Sequence, residues 1–138
     1  MPSQYPDVTI DDSIRVLLVE DDEPHSVVLR DALAAARPPI EMEHCRTLRE
    51  AIAHLEHPTF DAVLLNLDLP DSQGLQTIDR ALAEIPGLPI VVITAAEESD
   101  LGVAAVQHGA QDYLAKSEND PRYLSRVLRF AVEKTWRL

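Results

Sequence analysis

The chain has 138 residues, of which 46% are apolar, and a formal net charge of −12 at pH 7. This length allows one domain with a single hydrophobic core, and the apolar fraction argues against disorder. No apolar run reaches membrane-spanning length, and the N-terminus has no secretory signal, so we expect a cytoplasmic protein that does not bind a membrane. The acidic net charge argues against nucleic acid as a partner.

Short apolar segments alternate with helical patterns along the chain. Residues 1–12 are polar and are predicted to be an N-terminal tail, so that one domain fills residues 13–138. Strands are predicted over five segments: Ile14–Val19, Ile40–Cys45, Ala62–Leu65 with Asn66 at its tip, Pro89–Thr94 and Gln111–Ala115. Helices are predicted to begin near Pro24, Thr47, Gly74, Glu97 and Arg122, the last running to Leu138. Thr47 and Glu50 have the spacing of a capping box.

This alternation predicts a doubly wound α/β domain. Short, nearly all-apolar strands between helices are typical of a parallel sheet that is covered on both faces. Crossover connections between parallel strands are right-handed, which places helices on both sides of the sheet. Domains of this kind bind their ligands at the carboxyl ends of the strands. The residues that follow each strand are therefore the candidates for function.

Charged and polar residues stand at four of these strand ends. Glu20 and Asp21 follow the first strand, Asn66 ends the third, Thr94 ends the fourth and Lys116 follows the fifth. Carboxylate oxygens suit Mg²⁺, and a lysine suits phosphoryl oxygens. A carboxylate at position 66 would complete a site for phosphoryl transfer, but an amide lacks both the negative charge and the nucleophilic oxygen.

These segments resemble the receiver domains of two-component response regulators. The resemblance covers about residues 13–136 and rests on four segments: Val16–Asp22, Leu64–Gly74, Ile90–Ala95 and Gly109–Lys116. It implies a flavodoxin-like (βα)5 fold whose parallel five-stranded sheet has the order 2-1-3-4-5. It also implies a signalling module of a phosphorelay rather than an enzyme.

The resemblance assigns a metal site to the acidic residues. Glu20 and Asp21 match the acidic metal-binding pair, and Asn66 stands where the family has its phosphoaccepting aspartate. Asp68 matches the position whose backbone carbonyl binds Mg²⁺. With an amide at position 66 the site loses one negative charge, so we expect Mg²⁺ to bind more weakly and self-phosphotransfer to be lost.

The resemblance also assigns the residues that would respond to a phosphoryl group. Thr94 and Lys116 match the hydroxyl and the lysine that contact it, and Thr94 and Tyr113 match the pair that switches conformation. Expected partners are a sensor histidine kinase or a phosphotransfer protein. His25, His44 and His108 belong to no constellation of residues and are given no role.

Three interpretations of function remain open. The chain is a receiver, single-domain or cut from a larger protein, whose phosphorylation site is blocked by an engineered or recently acquired Asp→Asn change at position 66. Alternatively it is a natural pseudo-receiver that binds a partner without phosphorylation. The third interpretation is a phosphatase like the haloacid dehalogenases, because Asn66-Leu67-Asp68 resembles their Asp-x-Asp motif.

The last helix is predicted to offer a partner surface. Residues 122–138 carry five Lys/Arg and one acidic residue, in contrast to the acidic remainder of the chain. A homodimer is expected through the face of the fourth helix, fifth strand and fifth helix, or through this C-terminal helix. The residues predicted to form the partner face are Leu124, Val127, Leu128 and Trp136.

Overall fold

A computed structural model describes residues 14–56 and 59–136. The predicted tail over residues 1–12 lies outside these residues, and so does the side chain of Trp136. The main sheet contains strands β1 (Arg15–Val19), β2 (Glu41–Cys45), β3 (Ala62–Asn66), β4 (Ile90–Thr94) and β5 (Asp112–Ala115). The helices are α1 (Glu23–Ala35), α2 (Leu48–His54), α3 (Leu75–Glu84), α4 (Ser99–His108) and α5 (Pro121–Trp136).

The five strands are parallel and lie in the order β2-β1-β3-β4-β5. This is the predicted doubly wound arrangement. Strand β3 is central, and its register places Leu65 beside Val19 of β1 and Asn66 beside Ile93 of β4. The carboxyl ends of β1, β3 and β4 therefore meet at one edge of the sheet, with Asn66 in the middle.

Two hydrophobic clusters cover the two faces of the sheet. Alternate residues of β3 belong to different clusters, because successive side chains of a strand point to opposite faces. Leu64 packs with α1 and α5, whereas Val63 and Leu65 pack with α2, α3 and α4. Strand β3 is buried throughout, which explains why Ala62–Leu65 is continuously apolar rather than alternating.

Helix α5 packs against its own sheet with the residues predicted to meet a partner. Leu124, Val127 and Leu128 are 0%, 8% and 0% exposed and belong to the cluster shared with α1. The predicted partner face was therefore wrong for these three residues, since the apolar stripe of an amphipathic helix is covered here by the domain itself. Four exposed residues of α5 recur at four-residue spacing: Arg122, Arg126, Phe130 and Lys134. The acidic Glu133 is exposed beside them.

Local signals in the sequence correspond to local structure in several places. The predicted capping box is present, with Thr47 accepting from the backbone N–H of Glu50 and Glu50 accepting from that of Thr47.

A short hairpin that pairs Asp68–Leu69 with Ser72–Gln73 was not predicted. It turns the chain between β3 and α3, and Gly74 ends it at a φ of 66°, which favours glycine. Within the described residues, no helix is both long and apolar enough to cross a membrane.

Candidate functional site

Two of the predicted site residues, Asn66 and Lys116, approach the carboxylate of a third, Glu20. Glu20 directly follows β1, Asn66 ends β3, and Lys116 directly follows β5. The amide nitrogen of Asn66 lies 2.5 Å from Glu20 Oε2, and Lys116 Nζ lies 3.9 Å from Glu20 Oε1. The backbone N–H of Lys116 donates to the carbonyl of Thr94 at 2.8 Å, which holds the end of β5 beside the end of β4.

Glu20 is a buried carboxylate with several donors around it. Its side chain is fully buried and accepts from Asn66 Nδ2, from His25 Nδ1 at 2.7 Å and from the backbone N–H of Asp22 at 3.3 Å. Burial alone would raise the pKa of Glu20, but these hydrogen bonds and the charge of Lys116 hold it below its ordinary value. Glu20 is therefore ionised at neutral pH, and protein groups compensate its charge.

The Asn66 side chain is bonded at both ends of its amide. The residue is 4% exposed; Nδ2 donates to Glu20 Oε2, and Oδ1 accepts from the backbone N–H of Asp68 at 2.9 Å. The partners fix the orientation of the amide, because an ionised carboxylate can only accept and a backbone N–H can only donate. An aspartate at this position would instead set two carboxylates against each other.

Two histidines hold Glu20, and the sequence analysis gave neither of them a role. His25, in the first turn of α1, bonds the carboxylate, while His44 Nε2 lies 2.6 Å from the backbone carbonyl of Glu20. The position of His44 follows from the parallel pairing of β1 with β2, which sets it beside Leu18. Because His25 follows Glu20 by five residues with no recognised motif between them, nothing in the sequence indicated that contact.

The carboxyl end of β4 differs from that of β3 in its hydrogen bonding. Thr94 is 3% exposed, yet its hydroxyl Oγ1 has no hydrogen-bond partner among the described residues. Tyr113, on the neighbouring strand β5, packs its ring on the backbone of α4 at Gly102. A Cβ atom at Gly102 would lie 2.3 Å from Tyr113 Cδ2, so this position of the ring depends on a glycine there.

In their observed arrangement, the side chains expected to bind Mg²⁺ are not positioned as a complete set of ligands for the ion. The side chain of Asp21 is exposed, and no contact in the described part of the chain tests the predicted role of the Asp68 backbone carbonyl. Asn66 directs an N–H group toward Glu20, while its amide oxygen is bonded to Asp68. The described residues contain no group of three His, Cys, Asp or Glu side chains that could hold a metal ion. Glu20 alone is a buried carboxylate here, whereas Mg²⁺ requires several oxygens in octahedral geometry.

The loop after β3 is tied to helix α2 by a residue that sequence reasoning did not single out. The carboxylate of Asp71 accepts from the backbone N–H groups of Leu48 and Arg49, both at 2.9 Å. Partial burial would raise the pKa of Asp71, but these bonds to the ionised form lower it. Asp71 thus fixes the segment that follows Asn66 to the start of α2.

Comparison with known proteins identifies the domain. Residues 16–128 match the model of the response regulator receiver domain. The chain belongs to this family. Receiver domains are signalling modules of two-component systems; they interact with histidine kinases or phosphotransfer proteins and generally bind Mg²⁺ at their phosphorylation site.

The relatives are longer regulators, and the solved structures share the fold. The chain is 35% identical over 114 residues to the swarming motility regulation protein RssB of Serratia marcescens, covering 83% of this chain and 51% of RssB. It is 39% identical over 77 residues to the regulatory protein LuxO of Vibrio vulnificus, covering 56% of this chain and 17% of LuxO. The chain thus spans about half of one relative and less of the other.

Receiver domains of solved structure superpose on most of the chain. The receiver domain of a LuxO repressor protein from Vibrio parahaemolyticus has a TM-score of 0.73 and 27% identity, covering 89% of this chain and 92% of that one. A response regulator from Chloroflexus aurantiacus has a TM-score of 0.76 at 24% identity, covering 88% of this chain and 98% of that one. The flavodoxin-like receiver fold expected from the sequence is therefore confirmed.

Proposed function

We propose that this receiver domain works without phosphorylation of its own acceptor position. The observation that carries the proposal is the Asn66 amide, which is bonded to both Glu20 and the backbone of Asp68. Asn66 occupies the tip of the central strand, where the resemblance places the acceptor aspartate. A carboxamide has no anionic oxygen to attack phosphorus, so an acyl phosphate cannot form on it.

The same contact supports weaker binding of Mg²⁺ than in receivers with an aspartate at this position. The ion would have to separate Asn66 from Glu20 and turn the amide oxygen away from Asp68. Glu20 and Asp21 would remain as ligands, with the carbonyl of Asp68 as a third oxygen. Since each negative ligand contributes to the affinity of a hard cation, the loss of one carboxylate lowers that affinity.

The neighbours of Asn66 support two origins for this residue. Thr94, Tyr113 and Lys116 are retained, which supports a recent or engineered Asp→Asn change in a receiver whose other parts are intact. The bonds at both ends of the Asn66 amide support instead a natural pseudo-receiver that is stable in this form. In both cases the domain as it stands signals through partner contacts and not through a phosphoryl group.

The phosphatase interpretation has less support. A haloacid dehalogenase would need a nucleophilic carboxylate at position 66 and a second one directed at the substrate. Asn66 is an amide, and the side chain of Asp68 is exposed in the short hairpin. Failure of the purified chain to hydrolyse a generic phosphomonoester is the expected result.

The direct test compares the chain with Asn66→Asp in the presence of acetyl phosphate and Mg²⁺. We expect the intact mass of Asn66→Asp to increase by one phosphoryl group, and that of the parent chain to stay unchanged. The control is Asn66→Asp with Lys116→Ala, in which labelling decreases because the cation near the phosphoryl oxygens is removed. Equal labelling of the parent chain and Asn66→Asp would contradict the proposal.

We further propose that partners bind the exposed sides of α4 and α5. The basic stripe of α5 (Arg122, Arg126, Phe130 and Lys134) extends over about 18 Å at 1.5 Å per residue. Lys134 Nζ lies 5.2 Å from the centre of the Phe130 ring, and Phe130 is 57% exposed. The face of α4 is different, with exposed Val103 and Val106 and with acidic residues at its start.

This complementarity supports a homodimer in which the start of α4 in one copy meets the basic stripe of the other. The test is sedimentation velocity on the parent chain, on Arg122→Glu/Arg126→Glu and on the control Arg30→Glu/Arg49→Glu, which has the same net charge. We expect a salt-sensitive dimer in the parent chain and the control, and a monomer in the stripe variant. Monomers in all three would leave the stripe to a kinase or phosphotransfer protein and refute the homodimer.

A further inference from the structure

His25 is a buried side chain at the phosphorylation site to which neither the sequence nor the family resemblance assigned a role. Its side chain is 9% exposed, and its Nδ1 lies 2.7 Å from Glu20 Oε1. Because Glu20 is ionised and can only accept, Nδ1 carries the proton of this hydrogen bond in either charge state of the ring. The imidazole therefore occupies one oxygen of the carboxylate that would bind a metal ion.

The other oxygen of Glu20 is occupied from a different direction. Asn66 Nδ2 and the backbone N–H of Asp22 both donate to Glu20 Oε2. Of the three donors to the Glu20 carboxylate, His25 belongs to α1, Asn66 to β3 and Asp22 to the turn that joins β1 to α1. An ionised carboxylate has about four acceptor sites, and these donors use three of them, while Lys116 Nζ lies 3.9 Å from Oε1. A metal ion that approaches Glu20 therefore competes with these donors, and the cost depends on what a displaced group can bond instead.

His25 has no second partner to replace Glu20. Its Nε2 is buried and has no hydrogen-bond partner among the described residues. If a metal ion took Glu20 Oε1, both nitrogens of the ring would lie in a buried position without a partner, which is unfavourable. Position 66 differs from His25, because the carboxylate introduced by Asn66→Asp would itself become a ligand of the ion.

We propose that His25 is a specificity-determining residue of this site, which holds Glu20 in a hydrogen bond and so opposes the binding of a divalent cation. Asn66 is then only one of two obstacles to metal binding, and Asn66→Asp removes only that one. This inference rests on the proposed function, because it concerns the same site, but it makes a separate claim about a residue on α1. It predicts that the affinity of the Asn66→Asp protein for a metal ion rises further when His25 is replaced.

The test measures binding of Mn²⁺ alone, as a spin-active substitute for Mg²⁺, from the decrease of the free-ion electron paramagnetic resonance signal. The proteins are the parent chain, Asn66→Asp, and Asn66→Asp combined with His25→Ala or His25→Met. Asn66→Asp with His54→Ala is the matched control, since His54 is an exposed histidine on α2. Circular dichroism melts establish that each variant is folded, and His25→Met preserves most of the side-chain volume if His25→Ala does not fold.

We expect Asn66→Asp to bind Mn²⁺ more tightly than the parent chain. Removal of His25 should tighten binding by a further factor of about ten, the equivalent of one hydrogen bond to a charged group. The His54 control should match Asn66→Asp. Unchanged or weaker binding in the folded His25 variants would overturn the inference. That result would leave the proposed function intact, because the proposed function depends on the phosphorylation of Asn66→Asp and not on His25.

Discussion

The carboxyl ends of the strands form two regions, one at the end of β3 (the β3 half) and one at the ends of β4 and β5 (the β4–β5 half). These two regions are stabilised in different ways. At the β3 half, hydrogen bonds join Asn66 to Glu20 and to Asp68, and Asp71 fixes the following loop to α2. At the β4–β5 half, the hydroxyl of Thr94 has no partner among the described residues, and Tyr113 is positioned by its packing on Gly102. The β3 half is thus closed by specific bonds, whereas the β4–β5 half, to which the proposed function assigns the response to a phosphoryl group, retains an unused donor.

Under the proposed function, the acceptor position is blocked while the residues assigned to the phosphoryl response remain in place. A buried hydroxyl without a protein partner is uncommon and unfavourable, and it is explained by a functional role or by a bound water or ion. We therefore propose that the β4–β5 half can still respond to a phosphoryl group that position 66 does not accept.

The largest expected effect is on stability, from a pair of substitutions at the two strand tips. Asn66→Ala removes a donor from the buried Glu20 and an acceptor from the N–H of Asp68, so we expect a loss of about 1–3 kcal/mol. Thr94→Val replaces a hydroxyl without a partner by a methyl group of similar shape, so the stability should stay within about 0.5 kcal/mol of the parent or increase. Urea unfolding at pH 7 measures both, and equal losses would show that the two tips do not differ.

A smaller effect is expected where Tyr113 packs on α4. Gly102→Ala places a methyl group inside the volume of the ring, so we expect a loss of about 1–2 kcal/mol after the gain in helix propensity. In a Tyr113→Ala background the clash is absent, and the same substitution should stabilise the domain by about 0.5–1 kcal/mol. The four proteins form a double-mutant cycle, and additive effects would mean that ring and glycine are not coupled.

The smallest effect concerns pH and Asp71. The pKa of Asp71 is lowered in the folded domain, so its bonds to α2 stabilise the fold above the unfolded pKa of about 3.9 and are lost as the pH falls through the lower folded value. We expect Asp71→Asn to have a lower urea midpoint than the parent at pH 7. The two midpoints should approach each other as the pH falls below about 4. A constant difference over this range would show that ionisation of Asp71 has no part in the effect.

The sequence was sufficient to predict the sheet and the positions of the site residues along it. The apolar run Ala62–Leu65 is too short for a helix in this context and too continuous for a half-exposed strand, so it predicted the central buried strand. Once the strands are parallel, their carboxyl ends must meet. The convergence of Glu20, Asn66 and Lys116 follows from that geometry and needs no knowledge of side-chain contacts.

Other features depend on three-dimensional packing that the sequence does not specify. The contact of His25 with Glu20 depends on how α1 lies against β1, and no motif encodes it. The amphipathic pattern of α5 predicted an apolar face correctly, but it does not say whether the domain or a partner covers that face, and for Leu124 and Leu128 it is the domain. The two-residue strands of the hairpin after β3 are too short to produce a periodic pattern.

The central claim is that the β3 half is closed to a phosphoryl group while the β4–β5 half can still respond. The most direct measurement is the ¹H–¹⁵N spectrum of the parent chain and of Asn66→Asp with and without beryllofluoride and Mg²⁺, which together mimic an acyl phosphate on aspartate. We predict shifts of the Thr94 and Tyr113 resonances in Asn66→Asp and an unchanged spectrum in the parent chain. Shifts of these resonances in the parent chain would contradict the account.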